Sequence, residues 1–200
     1  MRLFYTAAYS IGFRPWELMV TLPIRDQISA LFDREEAKRK PPFGQALDLG
    51  CGTGHWAVNL AVRGWRVTAI DIVGKALRAA CKRVRDADVD VRVIQGDVTA
   101  LRSAGVGSGF PFLLDLGAIH GMKEHERLAV GREVTAVAAS DATLLMGAGA
   151  QNSVPARNLS QRHRGSVSDW TVIAEDPCDV TDAPRSVWKA DPRFYRLRRD

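Results

Sequence analysis

Ala46-Leu47-Asp48-Leu49-Gly50-Cys51-Gly52-Thr53-Gly54 reads as a short strand that runs straight into glycines. A helix pattern follows at once, from Thr53 to about Val62, and Gly64 stops it. Glycines at a strand end let the backbone turn tightly and approach a ligand without a Cβ in the way. The spacing is G-x-G-x-G, not the G-x-G-x-x-G of dinucleotide sites, and His55 stands where the last dinucleotide glycine would fall. No Gly-Lys-Ser/Thr follows, so the loop is not a P-loop either.

Outward from the loop the pattern repeats. Val67-Thr68-Ala69-Ile70-Asp71 is a second strand, and Val73, Leu77, Ala80 and Val84 mark a second helix to about Arg85. Val91 to Gln95 is a third strand, Phe112 to Leu116 a fourth, and Ala142 to Met146 a fifth. A helix from Lys123 to about Ala139 precedes the fifth strand. Strands that alternate with helices predict a parallel sheet covered on both faces. Trp170 to Ala174 and Phe194 to Arg198 read as two further strands with no helix between them. They predict a C-terminal antiparallel hairpin added to the sheet.

Residues 1–40 read as an N-terminal extension with a helix from Pro23 to about Phe32. Its end, Arg34 to Lys40, reads as a solvated helix end that Pro41-Pro42-Phe43-Gly44 terminates. Tyr5, Tyr9 and Trp16 cluster there, either as a lid over a substrate or as packing against the sheet.

The 200 residues predict one domain, with residues 1–45 as a helical cover and 46–200 as the core. With 46% apolar and 26% charged residues the chain is globular rather than disordered. No apolar run approaches membrane-spanning length. Cys51, Cys81 and Cys178 form neither a disulfide framework nor a metal cluster, and no secretory apolar segment opens the chain, so the expectation is a reducing cytoplasm and no metal.

The net charge of +5 invites a nucleic-acid reading. It is spread as +2, +2, −1 and +2 over residues 1–40, 41–100, 101–150 and 151–200. Phosphate-tracking proteins gather cations on one face. The one basic stripe, Lys75, Arg78, Lys82 and Arg85, reads as the solvated side of an amphipathic helix. Nucleic acid is not the expected partner.

On these motifs the segment from Ala46 to Met146, with the two closing strands, resembles the class I S-adenosylmethionine-dependent methyltransferases. The resemblance implies a three-layer Rossmann-like α/β sandwich with a mostly parallel seven-stranded sheet. It implies S-adenosylmethionine as cofactor and S-adenosylhomocysteine as product. It also implies cofactor contacts from Asp48, Gly50, Cys51, Gly52 and Gly54, with Asp71 and Ile72 at the ribose. Asp97 and Val98 would lie at the adenine, and the end of the fourth strand, Asp115, at the methyl.

Asp115-Leu116-Gly117-Ala118-Ile119-His120-Gly121, with Pro15-Trp16-Glu17, is similar to small bacterial enzymes that act on small molecules. His120 is a candidate base, or a loop histidine that closes a hydrogen bond. Asp115 is a candidate catalytic or cofactor-binding acid, or a strand-end acid bonded to local amides. Tyr9 and Trp16 are candidate acceptor or lid residues.

The cofactor carries no phosphate, so a loop without lysine suits it. The expected reaction is methyl transfer to O, N or S of a small acceptor. The alternatives are an RNA or protein methyltransferase on the same fold, or a non-catalytic cofactor-binding partner.

Overall fold

The computed structural model describes residues 23–37, 39–119, 122–149, 169–181 and 191–200. Seven strands form one sheet: β1 (Gln45–Leu49), β2 (Arg66–Asp71), β3 (Val91–Gln95), β4 (Phe110–Asp115), β5 (Ala138–Gly149), β6 (Trp170–Pro177) and β7 (Pro192–Arg199). Their order is β3-β2-β1-β4-β5-β7-β6. β1 to β5 pair in parallel, while β7 runs antiparallel between β5 and β6. The helices are α1 (Ile24–Glu36), α2 (His55–Arg63), α3 (Gly74–Asp86) and α4 (Glu124–Val137), with a 3-10 turn at Val98–Ala100. This is the expected mostly parallel, seven-stranded sandwich with its closing antiparallel hairpin.

The central strands are buried on both faces, as parallel strands under helices must be. One face of the sheet presents Leu47, Leu49, Ile70, Leu113 and Leu144 to Val130, Val134 and Val137 of α4. The other presents Ala46, Val67, Ala69, Phe112, Leu114 and Leu145 to Ile28 and Phe32 of α1 and to Trp56 and Leu60 of α2. Phe32 stands edge-on to Trp56 at 5.9 Å and to Phe112 at 6.0 Å. α3 buries Ala76, Leu77 and Ala80 and leaves Lys75, Arg78, Lys82 and Arg85 exposed, as the amphipathic reading expects.

The terminal hairpin is tied down from both sides. Trp170 donates its indole N–H to Thr135 Oγ1 of α4 at 2.8 Å. Gln27 of α1 donates to the Pro177 carbonyl at 2.6 Å and accepts from the Asp179 amide at 2.9 Å. These bonds set α1 beside the upper end of β6, the same end of the sheet at which β1, β2 and β4 finish.

Two sequence expectations need correction. The end of α1 is only partly solvated: Arg34, Ala37 and Lys40 are exposed, but Glu35 is buried and pairs with Arg39 at 2.6 Å and with Arg196 of β7 at 3.4 Å. Glu36 pairs with Arg63 at 2.7 Å and accepts the Trp65 indole N–H at 2.9 Å. A buried carboxylate needs such partners, and here they come from distant elements. In addition, α4 ends at Val137 and Ala138 already pairs with Phe110, so β5 starts earlier than the sequence suggests.

Candidate functional site

The carboxyl ends of β2, β1 and β4 lie side by side, and each ends in or near an acid: Asp71, Asp48 and Asp115. In an open α/β sheet ligands bind in the crevice beyond these ends. The register puts Asp48 on the same face as Leu114, so Asp115, one position on, points to the opposite face. The three acids therefore surround the crevice from both sides of the sheet.

The glycine loop is built on β2. The amides of Gly50 and Cys51 both donate to the Ile70 carbonyl, at 2.8 and 3.0 Å. Gly54 donates to the Cys51 carbonyl at 2.9 Å, which closes the turn. Gly50 and Gly54 both take positive φ, 69° and 77°. A Cβ on Gly50 would stand 2.4 Å from the Ala118 Cβ, and one on Gly54 would stand 2.9 Å from the Ala80 Cβ. Conformation and close approach both demand glycine at these two positions. Cys51 is half-buried, and burial pushes its thiol well above the usual range, so it is no nucleophile.

Asp71 stitches the loop to β2. Its Oδ2 accepts the Gly52 amide at 2.9 Å and its Oδ1 accepts the Val73 amide at 2.8 Å. Burial raises its pKa, and the amides of Val73, Gly52 and Ile72 pull it back. Each oxygen still has a second lone pair, so a diol can be received as well. Ile72 is half-buried beside it, and its carbonyl accepts from Gln95 at 3.4 Å.

Asp48 is buried beneath α2, where the Ala57 amide of that helix's first turn bonds to it. It thus serves the positive end of α2, whose preceding residue, Gly54, has no side chain to cap with. Its Oδ2 is buried and has no hydrogen-bond partner among the described residues. Burial, then the negative charges of Asp71 and Asp115, push its pKa to about 7.

Asp115 is also fully buried. Its Oδ1 accepts the amides of Gly117, Ala118 and Ile119 at 3.2, 2.7 and 3.4 Å, while its Oδ2 has no partner among the described residues. Burial raises its pKa to about 7 against the pull of those three amides.

Asp97 is exposed. Its Oδ1 accepts from Thr99 N and Oγ1 at 2.9 and 2.7 Å, and so caps the 3-10 turn in which Val98 is buried. His55 opens α2 half-buried, edge-on to Trp56 at 4.8 Å. Burial, with the cations of Arg83 and Arg25, lowers its pKa.

The structure brings together Asp48, Gly50, Cys51, Gly52, Gly54, Asp71, Ile72 and Asp115, with Asp97 and Val98 beyond β3. His120, Tyr9 and Trp16 lie outside the described residues. The sequence reading missed Ala118, which packs on the glycine loop, and Arg83, which reaches back to the Thr53 carbonyl at 3.1 Å. An acid two positions before a glycine at a strand end, as in Asp115-Leu116-Gly117, is the signal that could have marked the first.

The residues that build this loop, and the strands that carry it, lie within residues 46–141, which match a family model for a methyltransferase domain. The match covers just under half of the chain, and over it the chain is similar to methyltransferase domains. The ubiquinone biosynthesis O-methyltransferase of Caulobacter vibrioides is 35% identical over 85 residues, 42% of this chain and 34% of the relative. The chain thus spans about a third of the length of the curated relatives it matches.

Solved methyltransferases share the whole fold at low identity. The Burkholderia thailandensis 1,6-didemethyltoxoflavin-N1-methyltransferase, with its substrate and S-adenosylhomocysteine bound, gives a TM-score of 0.72 at 16% identity, covering 99% of this chain and 86% of that one. The magnesium protoporphyrin IX methyltransferase of Synechocystis PCC 6803, with S-adenosylmethionine bound, gives 0.72 at 13% identity, covering 100% and 97%. The chain therefore shares the fold of these methyltransferases. Among the described residues no helix is long and apolar enough to cross a membrane.

Proposed function

We propose that this chain transfers a methyl group from S-adenosylmethionine to O, N or S of a small molecule and releases S-adenosylhomocysteine. The observation that carries the reading is the buried, unpartnered Oδ2 of Asp48 at the glycine loop. A buried carboxylate oxygen without a donor is costly, and a cationic ligand group would supply one. The ammonium of the cofactor's amino-acid end is such a group. No lysine stands in the loop Gly50 to Gly54, in keeping with a ligand that has no phosphate.

In this reading Asp48 receives the ammonium, and the loop from Gly50 to Gly54 lines the amino-acid end. The spare lone pairs of Asp71 receive the ribose hydroxyls, with Ile72 alongside. Asp97 and the buried Val98 border the adenine, where the exposed carboxylate of Asp97 can accept from an amine. The bound cofactor supplies an electrophilic methyl on a sulfonium, whose sulfur leaves neutral. The chain's own contribution is to hold the cofactor so that an acceptor approaches the methyl in line. His120 is the proposed base for an acceptor that is protonated at working pH, and Tyr9 and Trp16 are proposed acceptor-site residues.

The names of a similar ubiquinone biosynthesis O-methyltransferase and of the 1,6-didemethyltoxoflavin-N1-methyltransferase support small acceptors. The free thiols of Cys51, Cys81 and Cys178 suit a cytoplasmic enzyme. We take residues 46–200 as its catalytic core and 1–45 as its cover.

Calorimetric titration with S-adenosylhomocysteine tests the reading. Micromolar-range binding is expected, and no heat up to millimolar ligand would overturn it. Labelled methyl transfer to a panel of phenols, amines and thiols then identifies the acceptor atom.

A further inference from the structure

The loop after β4 and the glycine loop are separate in sequence but meet in space. Ala118 lies against Gly50 so closely that no side chain fits between them: a Cβ on Gly50 would stand 2.4 Å from the Ala118 Cβ and 3.4 Å from its Cα. Ala118 is held there by one atom. Asp115 Oδ1 gathers the amides of Gly117, Ala118 and Ile119, the shortest bond, 2.7 Å, being to Ala118. Three successive amides turned onto one oxygen form an anion nest, and here the anion belongs to the chain itself. Ile119, buried in the core, anchors the far end of the same turn. The glycine loop is fixed from the other side by Asp71 through the Gly52 amide at 2.9 Å.

We propose that Asp115 is a positioning residue that keys the loop after β4 onto the glycine loop, so that binding in one orders the other. This role rests on the proposed cofactor site only for the identity of the ligand. Asp115 need not touch cofactor or acceptor to perform it. The side chain supplies a backbone acceptor, which an amide oxygen supplies nearly as well, so the role depends on geometry more than on charge. The consequence is energetic coupling. A cofactor resting against Gly50 also stiffens Gly117 to Ile119, the stretch that leads to the candidate base His120.

Amide hydrogen exchange reads this without catalysis. In the full chain, the Ala118 and Ile119 amides should be protected, and S-adenosylhomocysteine should raise their protection further. Asp115→Ala should lower their protection at least tenfold and weaken the ligand at least tenfold. Asp115→Asn should keep both within threefold of the parent. A folded Asp115→Ala variant with unchanged protection would overturn the proposal. So would an Asp115→Asn variant that fails as badly as Asp115→Ala.

If Asp115→Ala does not fold, the contact itself can be tested. Gly50→Ala should weaken the ligand strongly, and Gly50→Ala with Ala118→Gly should recover a large part of the loss, whereas no recovery would overturn the proposal. A parent that binds no S-adenosylhomocysteine would defeat the cofactor reading alone. The exchange of Ala118 and Ile119 in the two Asp115 variants would then still decide the positioning role.

Discussion

Asp71 Oδ2 accepts the Gly52 amide at 2.9 Å, so the acid that ends β2 holds the glycine loop that follows β1. The same carboxylate accepts the Val73 amide at 2.8 Å and so shapes the entry to α3. One side chain thus fixes both walls of the proposed ribose site.

Asp71→Ala should therefore cost more than a ligand contact. Each orphaned amide is worth about 1–3 kcal/mol where it stays buried. We expect the affinity for S-adenosylhomocysteine to fall at least tenfold and the melting temperature to fall by several degrees. Asp71→Asn keeps one acceptor oxygen and should lie between the two. Calorimetry and thermal melts check this, and an unchanged affinity in the Ala variant would remove Asp71 from the site.

Gly54→Ala should destabilise the chain in two ways. The φ of 77° disfavours an L residue, and the new Cβ would lie 2.9 Å from the Ala80 Cβ of α3. Strain and overpacking together are expected to cost about 2–4 kcal/mol. Ala80→Gly alone should cost about 1 kcal/mol in helix propensity. The double variant should then be more stable than Gly54→Ala alone, since the 2.9 Å contact is gone, leaving the backbone strain and a 3.1 Å approach to the Cα of residue 80. Denaturant melts of the three variants measure the coupling, and strict additivity would mean that the loop and α3 do not press on each other.

The parallel sheet was legible because strand and helix periods alternate cleanly around the glycines, while its seven-stranded form rested on the family resemblance. The place of the candidate site was legible where acids stand beside the loop, as at Asp48 and Asp71. The role of Asp115 was not. An acid at a strand end serves a ligand or its own backbone equally well in sequence, and the three amides gathered on Oδ1 are seen only in the fold. Glu35 was misread for another reason: Arg196, one of its partners, is 161 positions away, and no local pattern reveals a salt bridge at that range. Ala138 was assigned to a helix because its neighbours favour one, but pairing with Phe110 overrides that preference.

Stability should fall as pH rises from about 4 to about 7. Asp48 and Asp115 both have folded pKa values raised to about 7 from the ordinary 3.8, because burial favours their neutral forms. Within that window the folded chain keeps protons that the unfolded chain has lost, so raising the pH favours unfolding, and above about 7 the contribution levels off. The raised Asp71 acts in the same direction. Asp48→Asn removes one of these groups and still offers an oxygen to Ala57. Its melting temperature relative to the parent should thus rise between pH 5 and pH 8. A difference that stays constant with pH would show that Asp48 titrates normally.

Cofactor binding should release protons, and Asp48 should be their source. At pH 7 its carboxyl is near half-protonated, given a pKa of about 7. An ammonium placed beside Oδ2 favours the carboxylate and lowers that pKa in the complex. Binding of S-adenosylhomocysteine at pH 7 is then expected to expel about half a proton. The affinity should rise from pH 6 to pH 8, because less work is spent on deprotonation. Calorimetry in buffers of different ionisation enthalpy gives the number directly from the slope of apparent heat against buffer heat. The parent should show release near neutral pH, fading above pH 8, and Asp48→Asn should show almost none. A slope of zero in the parent would mean that the ammonium does not meet Asp48, and the partner of that buried oxygen would have to be sought in another group of the ligand.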